Sequence, residues 1–332
     1  MDEQTIHWGI IGLGKIAHKF AADLQHCPGA KLSAVASRTL EKAEAFSKEF
    51  GASYAYGAYP ELLDCPELDV VYVATPHSEH YENTLMCLGR GVPVLCEKPL
   101  AINSRQAQAM IKLARDNQVF LMEALWTRFL PTTQRVLDVL HGGELGQVIS
   151  IKADFGFNPP FDPQSRLFDR QLGGGALLDI GIYPVFLALL LLGDPSAIKA
   201  VVHLNTTRVD DEIGMILTYT SGQMAHLHAS LRSRTKTEAF IYCEHGVINM
   251  LSRFHEPTAL SIQRYGQAPE FVHFDYGASN GYAYEAGEVT RCLQHSKLES
   301  DRMPLSFSER MIKLLDRIRA EVGVVYPQDA VQ

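Results

Sequence analysis

Apolar residues in the first third of the chain come in short runs of strand length. Ile6 to Ile11, Lys31 to Ala36, Asp69 to Ala74, Pro93 to Cys96 and Val119 to Glu123 carry few polar interruptions, which is how strands buried on both faces read. Between them the period changes to helical. Ile16, Phe20 and Leu24 recur on one helix face, Tyr81, Leu85 and Leu88 on another, and Asn103 opens a helix that runs to about Asn117. Strand and helix alternating at this pitch predict an α/β domain with a parallel, doubly wound sheet over residues 1–123.

From about Trp126 the pattern is different. One helix, Thr133 to His141, precedes strands near Gln147 to Phe155, Ile198 to Asn205, Glu212 to Thr220, Gln223 to Leu231 and Glu238 to Cys243. Such a run predicts a second domain, residues 124–332, of α+β class with a large, mostly antiparallel sheet. Met224, His226 and His228 alternate with Ala225, Leu227 and Ala229, a weak contrast that allows a sheet face not fully exposed to water. The tail after Gly281 predicts two helices, the second from about Ser306 to Val322, read as scaffold.

Composition then narrows the partners. A chain of 332 residues, 46% hydrophobic and 20% charged, is an ordinary folded protein with room for two domains. Its formal charge of -8, without a Lys/Arg cluster, argues against nucleic acid or an anionic membrane as partner and leaves a small molecule. Cys27, Cys65, Cys87, Cys96, Cys243 and Cys292 form no CxxC pair, so reduced thiols and a cytoplasmic setting are expected. Met1 to Gln4 is polar and acidic rather than the start of a signal peptide, and the apolar run Val185 to Leu192 is far short of the ~20 residues that span a bilayer. That run reads as a buried helix. Neither His77 with His80 nor His226 with His228 has zinc-site spacing, so no metal is expected.

Four stretches carry chemistry. The first strand runs straight into Gly12-Leu13-Gly14-Lys15-Ile16-Ala17, where Gly12 permits a tight turn, Gly14 lets backbone approach a pyrophosphate and Ala17 lets the helix pack closely. The second strand ends in Ser37-Arg38-Thr39, without the acid that holds a ribose 2′-hydroxyl; Arg38 can bind a 2′-phosphate or stack on adenine, with Lys42 one turn on, which favours NADP over NAD. The third, Thr75-Pro76-His77, lies at the carboxyl edge of the sheet, near the cofactor, while His80 belongs to the helix beyond it. The fourth is Glu97-Lys98-Pro99: a cation at the end of a buried strand must find a partner or give up its proton, Glu97 is at hand, and Pro99 restricts the angle at which Lys98 is held. Further on, Gly173-Gly174-Gly175 opens a helix on which Asp179 and Tyr183, four apart, share a face.

Together with Gly12-x-Gly14-x-x-Ala17, Asp69-Val70-Val71 with Thr75-Pro76, Glu97-Lys98-Pro99 and Gly173 to Gly181, the chain resembles the Gfo/Idh/MocA (glucose-fructose oxidoreductase and inositol dehydrogenase) family over nearly its whole length. Met122 to Phe129, Gly181-Ile182-Tyr183, Tyr284 to Leu293 and Glu299-Ser300-x-x-Met303-Pro304 are most similar to its branch of dimeric dihydrodiol dehydrogenases and NADP-dependent D-xylose 1-dehydrogenases. Many sugar-oxidising members have His where Tyr183 stands, which argues against a polyol such as inositol and leaves aldoses and aromatic trans-dihydrodiols both open.

The resemblance implies an NADP-dependent dehydrogenase whose second domain pairs with another subunit through the open face of its sheet. Gly12, Gly14, Lys15 and Ile16 would meet the pyrophosphate, Ser37, Arg38 and Lys42 the adenosine side, and Thr75, Pro76, His77, Glu97, Lys98, Trp126 and Arg128 the rest of the cofactor. Lys98 or Tyr183 would take the hydroxyl proton and Asp179 would orient them. Trp126 and Phe155 would wall the substrate, with the loop Asn158 to Phe161. A protein that senses NADP without turnover is the other class open to this sequence.

Overall fold

In a computed structural model, which describes residues 4–256 and 258–330, the unbroken apolar runs are strands of a parallel sheet. The reading of Met1 to Glu3 lies outside the described residues. The first half runs β1 (Ile6–Ile11), α1 (Lys15–Leu24), β2 (Ala30–Ala36), α2 (Leu40–Phe50), β3 (Tyr54–Tyr56), α3 (Tyr59–Leu62), β4 (Val70–Val73), α4 (His80–Gly89), β5 (Val94–Glu97), α5 (Ser104–Asp116) and β6 (Leu121–Ala124). Its six strands are ordered β3-β2-β1-β4-β5-β6, every pair parallel, so the strand order reverses between β1 and β4. Each position of β4 and β5 is buried, because helices cover both faces.

The second half runs α6 (Pro131–His141), β7 (Val148–Gly156), a π turn (Leu177–Gly181) that continues into α7 (Ile182–Leu192), then β8 (Ala197–Leu204), β9 (Asp210–Thr218), β10 (Met224–Ser230), β11 (Ala239–Cys243), β12 (Gly246–Met250), β13 (Ala259–Arg264), β14 (Glu270–His273), α8 (Tyr282–Gln294) and α9 (Leu305–Val322). The eight-stranded sheet is ordered β14-β13-β12-β11-β7-β10-β9-β8, antiparallel except between β7 and β10. Its strands alternate in burial, as β8 and β11 show. The helical stretch Arg170–Leu192 is, by length and composition, long and apolar enough to cross a membrane, a longer stretch than Val185 to Leu192 alone suggests. With 83% of its apolar window buried it is a core helix.

Two compact units result, Met1–Phe129 with Tyr276–Glu309, and Leu130–Asp275 with Arg310–Gln332. The tail that the sequence places with the second domain is therefore divided, and α8 belongs to the first unit. Buried Asp23 on α1 explains why: its carboxylate accepts hydrogen bonds from Ser279 Oγ (2.8 Å), Asn280 N (2.8 Å) and Tyr282 N (2.7 Å), fixing the start of α8.

Candidate active site

Where strand order reverses, the chain leaves β1 and β4 toward opposite sides of the sheet, and the carboxyl edge at that point is where such sheets bind ligands. Gly12 has φ +83°, and a Cβ on it would lie 2.7 Å from the backbone of Ala74 and Thr75, so glycine is what lets the two loops approach. At Gly14 the situation is reversed: it begins α1 without a side-chain cap, and a Cβ there would meet nothing within 4 Å. The uncapped helix start at Lys15 and Ile16 thus has room beside it for an anion, and these residues fit a dinucleotide pyrophosphate. Beyond β2, Ser37 is buried and donates its N–H to Tyr56 O (3.1 Å), while Arg38 and Lys42 are exposed.

The Lys98 turn is anchored on three sides. Buried Glu97 accepts a very short hydrogen bond from the Tyr72 hydroxyl, and its other oxygen accepts from Lys98 N (3.2 Å). After the cis Lys98–Pro99 peptide, Leu100 N donates to Glu123 Oε1 (2.8 Å). His80 ties the loops after β4 and β5 together, its Nδ1 at 2.8 Å from Pro99 O and its Nε2 at 3.0 Å from Thr75 O. Burial pulls the His80 imidazole down to about 4, against two carbonyls that favour its charged form; the neutral ring has one N–H and donates it to one of the two carbonyls at a time. Thr75 and His77 are buried beside it.

Three buried acids surround this turn. Burial pushes Glu123 up to about 7. Glu285 on α8 is fully buried with neither oxygen hydrogen-bonded among the described residues, and burial, then Glu97 and Asp23, raise it well above the carboxylate range. Held that high by burial and by the two neighbouring acids, Glu285 keeps its proton at neutral pH. Trp126 stacks on Tyr282 with ring centroids 4.2 Å apart and planes 4° from parallel. Arg128 donates from Nε to Arg302 O (2.8 Å), and its buried Nη1 has no partner among the described residues.

In the second unit, Asp179 lies in the π turn and Tyr183 in the first turn of α7, both buried. The wider turn departs from the regular helix that the spacing predicts, and such bulges are common at functional sites. Asp179 Oδ1 accepts from Arg166 Nη1 at 2.7 Å. The rings of Phe155, Tyr183 and His255 form a cluster, with His255 4.2 Å from Phe155 and 5.2 Å from Tyr183, and Phe155 5.7 Å from Tyr183. Sequence reasoning passes over Arg166, His255, Tyr72 and Glu285. The first two lie in irregular loops without a period, and the last two look like core positions.

A model of the oxidoreductase family with an NAD-binding Rossmann fold matches residues 6–125, and one of the GFO/IDH/MocA C-terminal domain matches residues 133–249. The chain belongs to the Gfo/Idh/MocA oxidoreductase family. Among curated relatives, the trans-1,2-dihydrobenzene-1,2-diol dehydrogenase of Mus musculus is 36% identical over 333 residues, covering 98% of this chain and 99% of the relative. Its namesake in Danio rerio is 37% identical over 336 residues with the same coverage. Among solved structures, a 3-ketoreductase from Actinomadura kijaniata in complex with NADP and TDP-benzene is 29% identical with a TM-score of 0.86, covering 96% of this chain and 98% of its own. An aldose-aldose oxidoreductase from Caulobacter crescentus complexed with glycerol is 25% identical with a TM-score of 0.88 and the same coverage. The resemblance read from the motifs therefore holds, as does the fold class. This Gfo/Idh/MocA oxidoreductase is an enzyme with a nicotinamide-dinucleotide domain at its start.

Proposed function

We propose that the protein is an NADP-dependent dehydrogenase acting on a hydroxyl-bearing carbon of a small cyclic substrate, an aldose such as D-xylose or a trans-dihydrodiol. The anchored turn at Lys98 carries this reading: Tyr72, His80 and Glu123, all buried, fix the residues on either side of one lysine at the carboxyl end of a parallel strand, where sheets of this kind bind ligands. When bound, the nicotinamide accepts or returns the hydride. Lys98 and Tyr183 handle the hydroxyl proton, and Asp179, itself held by Arg166, orients them. Trp126 and Phe155 supply apolar walls. Gly12, Gly14, Lys15 and Ile16 take the pyrophosphate, Arg38 and Lys42 the 2′-phosphate, and Ser37, Thr75, Pro76, His77, Glu97 and Arg128 complete the cofactor site. Exposed cations at the end of β2, with no acid at 37–39, favour NADP over NAD.

The open face of the eight-stranded sheet serves a homodimer. Val201 and Ile216 are 75% and 42% exposed there, over a hollow of about 860 Å³ that Lys152, His226 and Phe240 also line. Six buried thiols, none paired, suit the cytoplasm.

The test is an NADP-coupled panel of aldoses, inositols and dihydrodiols, run on wild type and Lys98→Met. At least one substrate should reduce NADP, and the variant should lose about a thousandfold in kcat while NADPH binding, followed by fluorescence, stays within about twofold. Turnover that survives in Lys98→Met would sink the reading.

A further inference from the structure

The helix that carries Asp179 and Tyr183 begins in a crowded crevice. Asp210, the first residue of β9, is fully buried, and its Oδ2 accepts the Leu177 N–H at 2.6 Å. Its Oδ1 has no hydrogen-bond partner among the described residues and abuts Gly175, where a Cβ would stand 2.3 Å away. From the other side Tyr326 donates its hydroxyl to Gly174 O at 2.6 Å. The Arg319 guanidinium, bound to Asp316 (2.6 Å) and Asp329 (2.7 Å), lies 5.1 Å over the Tyr326 ring. The Leu177 N–H and the Gly174 carbonyl are thus bonded from a strand and from the C-terminal segment, with Gly175 between them packed against the Asp210 carboxylate.

We propose that Asp210, assisted by Tyr326, is a positioning residue for the reaction: by gripping the first turn of this helix it holds Asp179 and Tyr183 in place relative to Phe155 and His255. This rests on the reading that Asp179 and Tyr183 serve catalysis. Asp210 bonds a backbone N–H and Tyr326 a backbone carbonyl, so both act through the backbone. The carboxyl is an anion acceptor at the positive end of a helix, where charge strengthens the bond.

The grip responds to pH. Burial pushes Asp210 up to about 7, with Asp211 on the same strand adding to the rise, while the Leu177 N–H and Arg319 favour the anion. Asp211 faces His203 at 2.6 Å, and Tyr326, raised well above its usual range chiefly by burial, stays neutral. Above neutrality Asp210 is ionised and holds Leu177 by a charge-assisted bond; below it the acceptor is an uncharged acid. The effect on stability has the opposite sign. A folded pKa above the unfolded one means the native chain holds a proton the unfolded chain has released, so this group's contribution falls as pH rises from about 4 to about 7 and is level beyond.

Asp210→Asn keeps an acceptor for Leu177 N and removes the charge. Above neutrality its kcat should fall on the order of tenfold with KM for NADP within about twofold, the acid limb of the wild-type kcat profile should vanish, and melting temperature should decline less steeply with pH than in wild type, since Glu123 and Glu285 keep their own share of the slope. A kcat profile superimposable on wild type would overturn the inference. If Asp210→Asn does not fold, Tyr326→Phe decides: it should lower kcat while keeping both KM and the acid limb, and an unchanged kcat overturns the proposal. Lys98→Met separates this from the functional reading, which falls if that variant turns over, whereas the melting difference between wild type and Asp210→Asn is read without any substrate.

Discussion

Strands β4 and β8 reach a stable sheet by opposite routes. All four positions of β4 are buried, whereas β8 alternates exposed and half-buried residues along its length. A sheet covered on both faces can offer a ligand only its end, and the first unit accordingly carries its candidate chemistry on loops just past β1, β4 and β5. The second sheet has a face to spare. Its candidate chemistry sits on a helix held by a buried acid, and its open face is the one we propose for a second subunit. Precision at a strand end comes from close backbone approach and buried anchors; a helix needs its first turn held.

The largest effect should come from the strand end. Gly12→Ala puts a Cβ 2.7 Å from backbone at φ +83°, and it should cost about 3 kcal/mol in a denaturant titration. Gly14→Ala, whose Cβ meets nothing within 4 Å, should keep its stability to within about 0.5 kcal/mol yet bind NADPH at least about tenfold more weakly. If both glycines behaved alike, the distinction between a loop that must close and one that must stay open would fail. Next in size, Arg38→Gln should lower kcat/KM with NADP about thirtyfold, the worth of one charge-assisted contact of about 2 kcal/mol, and leave the NAD value almost unchanged. A wild type that prefers NAD would reverse the assignment. The smallest change in stability belongs to the open face: Val201→Glu with Ile216→Glu should shift the mass by light scattering from dimer to monomer while stability moves by no more than about 0.5 kcal/mol. A dimer that persisted would place the interface elsewhere.

Much of this was readable in the chain. Five strands of the parallel sheet and five of the antiparallel one stand within a few residues of their predicted positions. The strands β12, β13 and β14 went unread because they are four to six residues long and β14 is mostly exposed, which leaves little apolar signal. Tyr54–Tyr56, only three residues, is weaker still. Arg166 and His255 left no trace, since a loop residue acquires a role only from what it reaches.

Local sequence determined the elements and the motif loops, because glycine spacing, apolar period and a Glu-Lys-Pro turn act on the residues that carry them. Only the tertiary structure decided which core α8 joined, that burial raises Glu123 and Glu285, and that Asp210 grips a helix more than thirty residues earlier in the chain. Burial and the approach of one charge to another belong to the whole fold, and no window along the chain contains them.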